Sequence, residues 1–246
     1  MTDEQKEKRS RGIYLLPNLF TTASLFAGFY AIIAATKGLF ETATFAIFVA
    51  MLMDTLDGRV ARLTNTQTDF GMQYDSLSDM VSFGIAPAVL TYSWSLFHLN
   101  KIGWLVAFFF AATVALRLAR FNTQVDHADK KYFQGLPCPA GAGILTSMVL
   151  FGSDYQLSSP ILPIISLVMT VGAGLLMISN FRFYSFKEVD FKGRVPFAAI
   201  FFVLFIFIAI TLDPPIMLFL SFFSYGVSGV VLTTLEFQKA RKERQK

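Results

Sequence analysis

Charge is scarce in this sequence. Asp, Glu, Lys and Arg make up 15% of its 246 residues, against about 25% in a soluble domain. Hydrophobic residues reach 54% and the mean hydropathy is +0.54, which places the chain among membrane proteins. Cysteine is nearly absent. Cys138 stands alone, which excludes an internal disulfide and a thiolate metal cluster, so a packed, inert thiol is expected there. The two histidines, His98 and His127, lie far apart without metal-ligand spacing. No internal repeat or low-complexity linker divides the chain, and residues 1–246 read as one domain. Nothing points to nucleic acid. The 28 Phe residues suit helices that face lipid.

What is present is a series of long uncharged runs. Crossing roughly 30 Å of hydrocarbon takes about 20 apolar residues as a helix. Residues 12–36, 80–100, 132–153, 155–181, 195–212 and 214–235 contain no Asp, Glu, Lys or Arg. Two further spans, near 40–57 and 102–121, are needed to connect these six. The expectation is an all-α integral membrane protein with eight transmembrane helices. Residues 1–14 form a cytosolic N-terminal segment and 237–246 a basic cytosolic tail suited to anionic lipid. The first run exceeds the about 7–15 residues of a signal-peptide core, so it is expected to be retained. With both termini in the cytosol, 19 of the 21 Lys and Arg fall on the cytosolic side, and only Lys37 and Lys101 lie outside. So one-sided a distribution agrees with an even number of spans.

The two connecting spans are short. Only 12 uncharged residues separate Glu41 from Asp54, and 15 separate Lys101 from Arg117. Twelve residues rise about 18 Å, so charged ends are drawn into the membrane interface. Ionisable groups at that depth usually face a polar cavity. Carboxylates on the second helix and Arg117 and Arg120 on the fourth are therefore expected to line one cavity, although long arginines also reach the interface by snorkelling.

The segment from Asp54 to Asp79 reads DTLDGRVARLTNTQTDFGMQYDSLSD. Asp54 and Asp57 share a helix face at a spacing of three, and Asp75 and Asp79 at a spacing of four. Thr64 to Thr68 supply a polar turn between them, so two helices can present two carboxylates each to one point. Four such groups repel one another, and a divalent cation reverses that penalty. Oxygen-only ligands favour Mg²⁺, Mn²⁺ or Ca²⁺ over zinc. Two metals about 3.5–4 Å apart could clamp an attacking and a leaving oxygen. Gly58 and Gly71 beside the pairs would admit a nucleotide close to the backbone, while each glycine alone also suits helix packing. Asp69 fits neither spacing and is expected in solvent.

Asp57-Gly58, Ala61-Arg62, Gly71, Asp75 and Asp79, led by Asp54, resemble the signature of the CDP-alcohol phosphotransferases, with every gap matched. The resemblance implies an enzyme that splits the diphosphate of a CDP-alcohol and releases CMP as an acceptor hydroxyl takes the phosphoryl-linked alcohol. It implies two divalent ions, Mg²⁺ or Mn²⁺, held by Asp54, Asp57, Asp75 and Asp79. Asp79 would also be the base, and Gly58, Ala61, Arg62 and Gly71 would lie along CMP. It also implies a homodimer.

Further stretches resemble the branch of that family that joins CDP-diacylglycerol to L-serine. These are Leu16 to Thr21, Ser82 to Pro87, Leu118 to Asn122 and Gly135 to Pro137. Asn18 and Thr21 are then expected at the CDP moiety, and Ser82, Arg117, Arg120 and Asn122 at the acceptor. The resemblance covers roughly residues 15–145. The short spans then place the active site near the cytosolic interface of the bilayer, where CMP and serine can exchange with cytosol. Glycerol 3-phosphate or an inositol phosphate remains open as acceptor, because Arg117, Arg120, Lys130 and Lys131 could receive a second phosphate. A different class, a cation transporter with intramembrane aspartates, predicts metal flux without CMP release.

Overall fold

The structure is a computed structural model and describes residues 3–123, 132–184 and 211–243. Among these the architecture is helical: α1 (Asp3–Thr36), α2 (Phe40–Thr64), α3 (Asp69–Asp79), α4 (Ala86–Trp94), α5 (Lys101–Thr123), α6 (Cys138–Asp154), α7 (Leu162–Ile178) and α8 (Pro214–Glu243). The one exception is a two-stranded antiparallel pair, β1 (Tyr132–Gln134) and β2 (Arg182–Tyr184), with Phe133 opposite Phe183. Three of the described helical segments are long and apolar enough to cross a membrane: Leu16–Thr36, Lys101–Thr123 and Pro214–Leu235. The expected span at 195–212 lies, except for its last two residues, outside the described residues.

Large apolar side chains such as Leu19, Phe26, Phe45, Phe108 and Val168 face outward. In water such a surface would be a liability; in lipid it is the natural exterior. The interior relies on small residues. Ala31, Ala34 and Ala35 of α1 pack with Ala43, Ala46 and Ile47 of α2 and with Ala86 and Leu90 of α4. Small side chains let helix backbones approach, which drives association where lipid removes the hydrophobic incentive. Central in the bundle is α6, buried along most of its length. Its Gly143 lies under the Phe222 ring of α8.

Two elements differ from the expected spans. Helix α2 continues past Asp57 to Thr64, because no residue in DGRVARLT breaks it. It ends at Asn65, whose left-handed backbone (φ 51°, ψ 41°) returns its N–H to Ala61 and Arg62 carbonyls, a conformation Asn tolerates. The expected single span 80–100 is instead composite. A π-helical segment, Met80–Ile85, separates α3 from α4, and a 3₁₀ turn, Leu96–Leu99, comes after α4. The extra residue of a π turn rotates the downstream helix relative to an unbroken one, and such turns concentrate at functional sites. This one starts immediately after Asp79.

Hydroxyl-to-carbonyl hydrogen bonds seat α1 against both acidic helices. Ser78 Oγ donates to Thr21 O at 3.1 Å, Ser82 Oγ to Ser24 O at 3.0 Å, and Ser24 Oγ to Ala50 O at 3.0 Å. Gly28 makes the approach of α1 to the π segment feasible. A Cβ there would stand 2.4 Å from Ser82 Oγ and 2.7 Å from its Cα.

Candidate active site

Helices α2 and α3 bring their carboxylates together. Asp54, Asp57 and Asp75 each offer an oxygen, and these oxygens all lie within 4.8 Å of one another. Asp79 stands outside that trio but within hydrogen-bonding reach of Asp54, which also reaches Asp75. All four acidic residues thus belong to one cluster, with Asp54 at its junction. The Oδ1 atoms of Asp75 and Asp79 are buried and have no hydrogen-bond partner. Buried acceptors left unpaired are costly. An all-oxygen donor set with orphaned oxygens fits a hard divalent cation. Asp54, Asp57 and Asp75 are the residues that would hold it.

Asp57 is fixed from α1. Thr21 Oγ1 donates to Asp57 Oδ2 at 2.7 Å, and both residues are buried. Asp75 is fixed by the start of α3, where the Thr68 side chain accepts from Gly71 N at 3.0 Å. That N-cap replaces one of the hydrogen bonds a helix start lacks. Tyr74 OH and Thr22 Oγ1, 2.9 Å apart, join α3 to α1 beside it.

A cleft of about 400 Å³ opens from the cluster. Helix α1 lines it with Pro17, Asn18 and Thr21, and α2 with Asp57, Gly58 and Ala61. The α2–α3 turn contributes Thr66, Gln67 and Thr68, and α3 contributes Asp69, Gly71, Met72 and Asp75. Five of the residues expected along a nucleotide are therefore in the wall: Asn18, Thr21, Gly58, Ala61 and Gly71. Arg62, the sixth, is not in it; its Nε donates to Gly58 O at 2.8 Å. The turn residues and Asp69 belong to the wall although spacing gave no sign of them. The α2 cap at Asn65 folds the turn back over the cleft, and Asp69 is exposed yet part of its lining.

The four residues expected at an acceptor are dispersed into different roles. Ser82 is fully buried, with its hydroxyl on α1. Asn122 Nδ2 donates to Ser76 Oγ at 3.0 Å and to Gln73 Oε1 at 3.3 Å, tying the end of α5 to α3. Arg120 donates to Gln134 O at 3.0 Å, Asn180 Oδ1 at 3.3 Å, Ser179 O at 3.4 Å and Ile178 O at 3.5 Å. It clamps the segment before α6 to the end of α7. Arg117 connects to the acidic cluster only through Cys138. Its Nη1 donates to Cys138 Sγ at 3.1 Å, and Cys138 lies within electrostatic reach of Asp54 and Asp79. Lys130 and Lys131 lie outside the described residues.

The same segments carry a family match. Residues 14–172 match the family model described as CDP-alcohol phosphatidyltransferase. The chain belongs to that family. Its aspartate cluster, cleft and α1–α4 framework all fall inside the matched range. Among similar proteins is a CDP-diacylglycerol–serine O-phosphatidyltransferase of Helicobacter pylori, 37% identical over 196 residues, covering 80% of this chain and 83% of that protein. Proteins of the same name from Methanocaldococcus jannaschii and Bacillus subtilis are 35% and 33% identical. The alignments cover 74% and 70% of this chain, and 79% and 92% of those proteins. The chain is thus a member of a transferase family of phospholipid synthesis with apolar, membrane-suited helices.

Proposed function

We propose that the protein transfers the phosphatidyl group of CDP-diacylglycerol to the hydroxyl of L-serine, giving phosphatidylserine and CMP. The observation that carries this reading is the convergence of Asp54, Asp57 and Asp75 oxygens at one end of a cleft of nucleotide size. The names of the similar proteins support CDP-diacylglycerol and serine as the substrate pair.

Asn18, Gly58, Ala61 and Gly71 receive the CMP moiety, the glycines and alanine keeping the wall low enough for close approach. Mg²⁺ or Mn²⁺ bound at the aspartates, as two ions, would neutralise the diphosphate and the departing CMP. The serine oxygen attacks the phosphorus that carries diacylglycerol. The bond from that phosphorus to the CMP oxygen breaks, and Asp79 Oδ1 takes the hydroxyl proton. Thr21 holds Asp57 in one orientation throughout.

An apolar groove of about 650 Å³ runs between α1 and α2, walled by Phe26, Tyr30, Phe45 and Val49. Its lining includes Thr22 and Met53, the sequence neighbours of Thr21 and Asp54, and it suits the acyl chains of the lipid substrate. The eight-span topology with cytosolic termini, a cytosol-facing site and a homodimer complete the reading. Light scattering of the protein in detergent should give twice the chain mass.

The test is direct. Purified protein is given CDP-diacylglycerol with Mg²⁺ or Mn²⁺ and, separately, serine, glycerol 3-phosphate or an inositol phosphate. Serine-dependent CMP release with formation of phosphatidylserine is expected. CMP release with a phosphorylated acceptor instead would replace serine, and metal flux without CMP would remove the enzyme reading.

A further inference from the structure

Cys138 opens α6 and is fully buried, yet it does not sit among apolar groups alone. Its Sγ accepts a hydrogen bond from Arg117 Nη1 at 3.1 Å. Asp54 and Asp79 are close enough to interact with the sulfur electrostatically. Tyr225 of α8 lies close enough to interact with the same guanidinium. Arg117 Nε is buried with no hydrogen-bond partner, as is Asp79 Oδ1. A guanidinium is a planar fork of five donors that binds carboxylate or phosphate in a fixed orientation. One such fork, anchored at one nitrogen on Cys138 and unpaired at Nε, with that sulfur in electrostatic reach of the proposed base, can receive an anionic group.

We propose that Cys138 is a positioning residue whose thiolate-independent role is to hold Arg117 so that its guanidinium receives the anionic group of the acceptor beside Asp79. The inference rests on the transferase reading above and adds the residue that aims the acceptor. Serine presents a carboxylate two bonds from the carbon bearing its hydroxyl. Fixing that carboxylate fixes where the hydroxyl stands relative to Asp79. A thiol suits the task because it accepts a hydrogen bond weakly without adding a negative charge near the carboxylates of Asp54 and Asp79. The α6 start places it there: Gly135, with φ 76°, turns the chain under Met177, Leu136 N donates to Leu176 O at 3.0 Å, and Pro137 leads directly into Cys138.

The experiment compares Cys138→Ala and Cys138→Ser in steady-state CMP release, with KM measured for serine and for CDP-diacylglycerol. Losing the sulfur acceptor should raise the serine KM about threefold to tenfold, with the CDP-diacylglycerol KM and the melting temperature unchanged. Cys138→Ser retains an acceptor and should restore most of the serine affinity. In an Arg117→Ala background, Cys138→Ala should add nothing, since the group it aims is gone. An unaltered serine KM in Cys138→Ala overturns the proposal. So does an equal effect of Ala and Ser on both substrates, which marks a packing role. If the unaltered protein releases no CMP with serine, the acceptor reading fails instead, and the same comparison is made with the KM of the acceptor that works.

Discussion

Replacing Thr21 with Val removes one oxygen and keeps the shape. The hydroxyl it removes is 3% exposed at its residue and donates to Asp57 Oδ2 at 2.7 Å. Pro17 O also lies 3.2 Å from the same oxygen, but a hydroxyl has one proton, and the shorter contact to a carboxylate is the stronger one. A hydrogen bond to a charged group contributes about 1.5–3 kcal/mol. At about 1.4 kcal/mol per tenfold, its loss corresponds to a factor of roughly 10–150. The factor should appear in metal affinity, because the bond orients a carboxylate that would hold the cation; lost partners of metal ligands typically reduce affinity about 10–100-fold. The assay is CMP release at rising Mg²⁺ or Mn²⁺. Thr21→Val should shift half-saturation upward by about that factor, with kcat largely recovered at saturating metal, and Thr21→Ser should behave as the parent. Unchanged metal dependence in a folded Thr21→Val protein would refute the orienting role.

Other outcomes derive from the same geometry. Asp79→Asn should reduce kcat by at least about 10²-fold, the lower range for a positioned proton acceptor, while Mn²⁺ binding by calorimetry persists; near-normal turnover would end its assignment as base. Gly28→Ala drives a methyl into Ser82 and should destabilise by about 1–3 kcal/mol as overpacking does, read as a lower melting temperature in detergent. Arg120→Ala frees four acceptors around β1 and the end of α7 and should lower the melting temperature more than Arg62→Ala, whose guanidinium bonds only its own exposed helix turn among the described residues. Equal melting temperatures for the two variants would contradict the clamp.

The acidic cluster was legible in the sequence because helical spacing alone determines which carboxylates share a face. Asp54 with Asp57, and Asp75 with Asp79, needed only a turn between them, and Thr64 to Thr68 announced one. The helical class was equally plain from the uncharged runs. Local pattern could not show which side chain crosses between elements distant in sequence. Arg117 and Arg120 sit three apart on one helix with the same chemistry. Only the fold shows that one reaches Cys138, 21 residues on, while the other clamps carbonyls up to 60 residues away. Cys138 carried no spacing signal, since a lone thiol has no partner in a pattern. The π segment after Asp79 was hidden for a related reason: MVSFGI is apolar and helix-compatible, and the contact of its Ser82 with Ser24 and Gly28 of α1 is long-range. The β1–β2 pair is three residues long on each side, too short for alternation to register.

A cation held jointly by α2 and α3 is the central requirement of the proposed chemistry. Calorimetric Mn²⁺ binding to the purified protein and to Asp54→Asn, Asp57→Asn and Asp75→Asn tests this without any turnover. Each single substitution should weaken binding by at least about tenfold, as loss of even an outer-shell partner does, with the melting temperature of the metal-free protein held or raised by relief of carboxylate repulsion. Mn²⁺ affinity that survives all three substitutions unchanged would contradict the shared site.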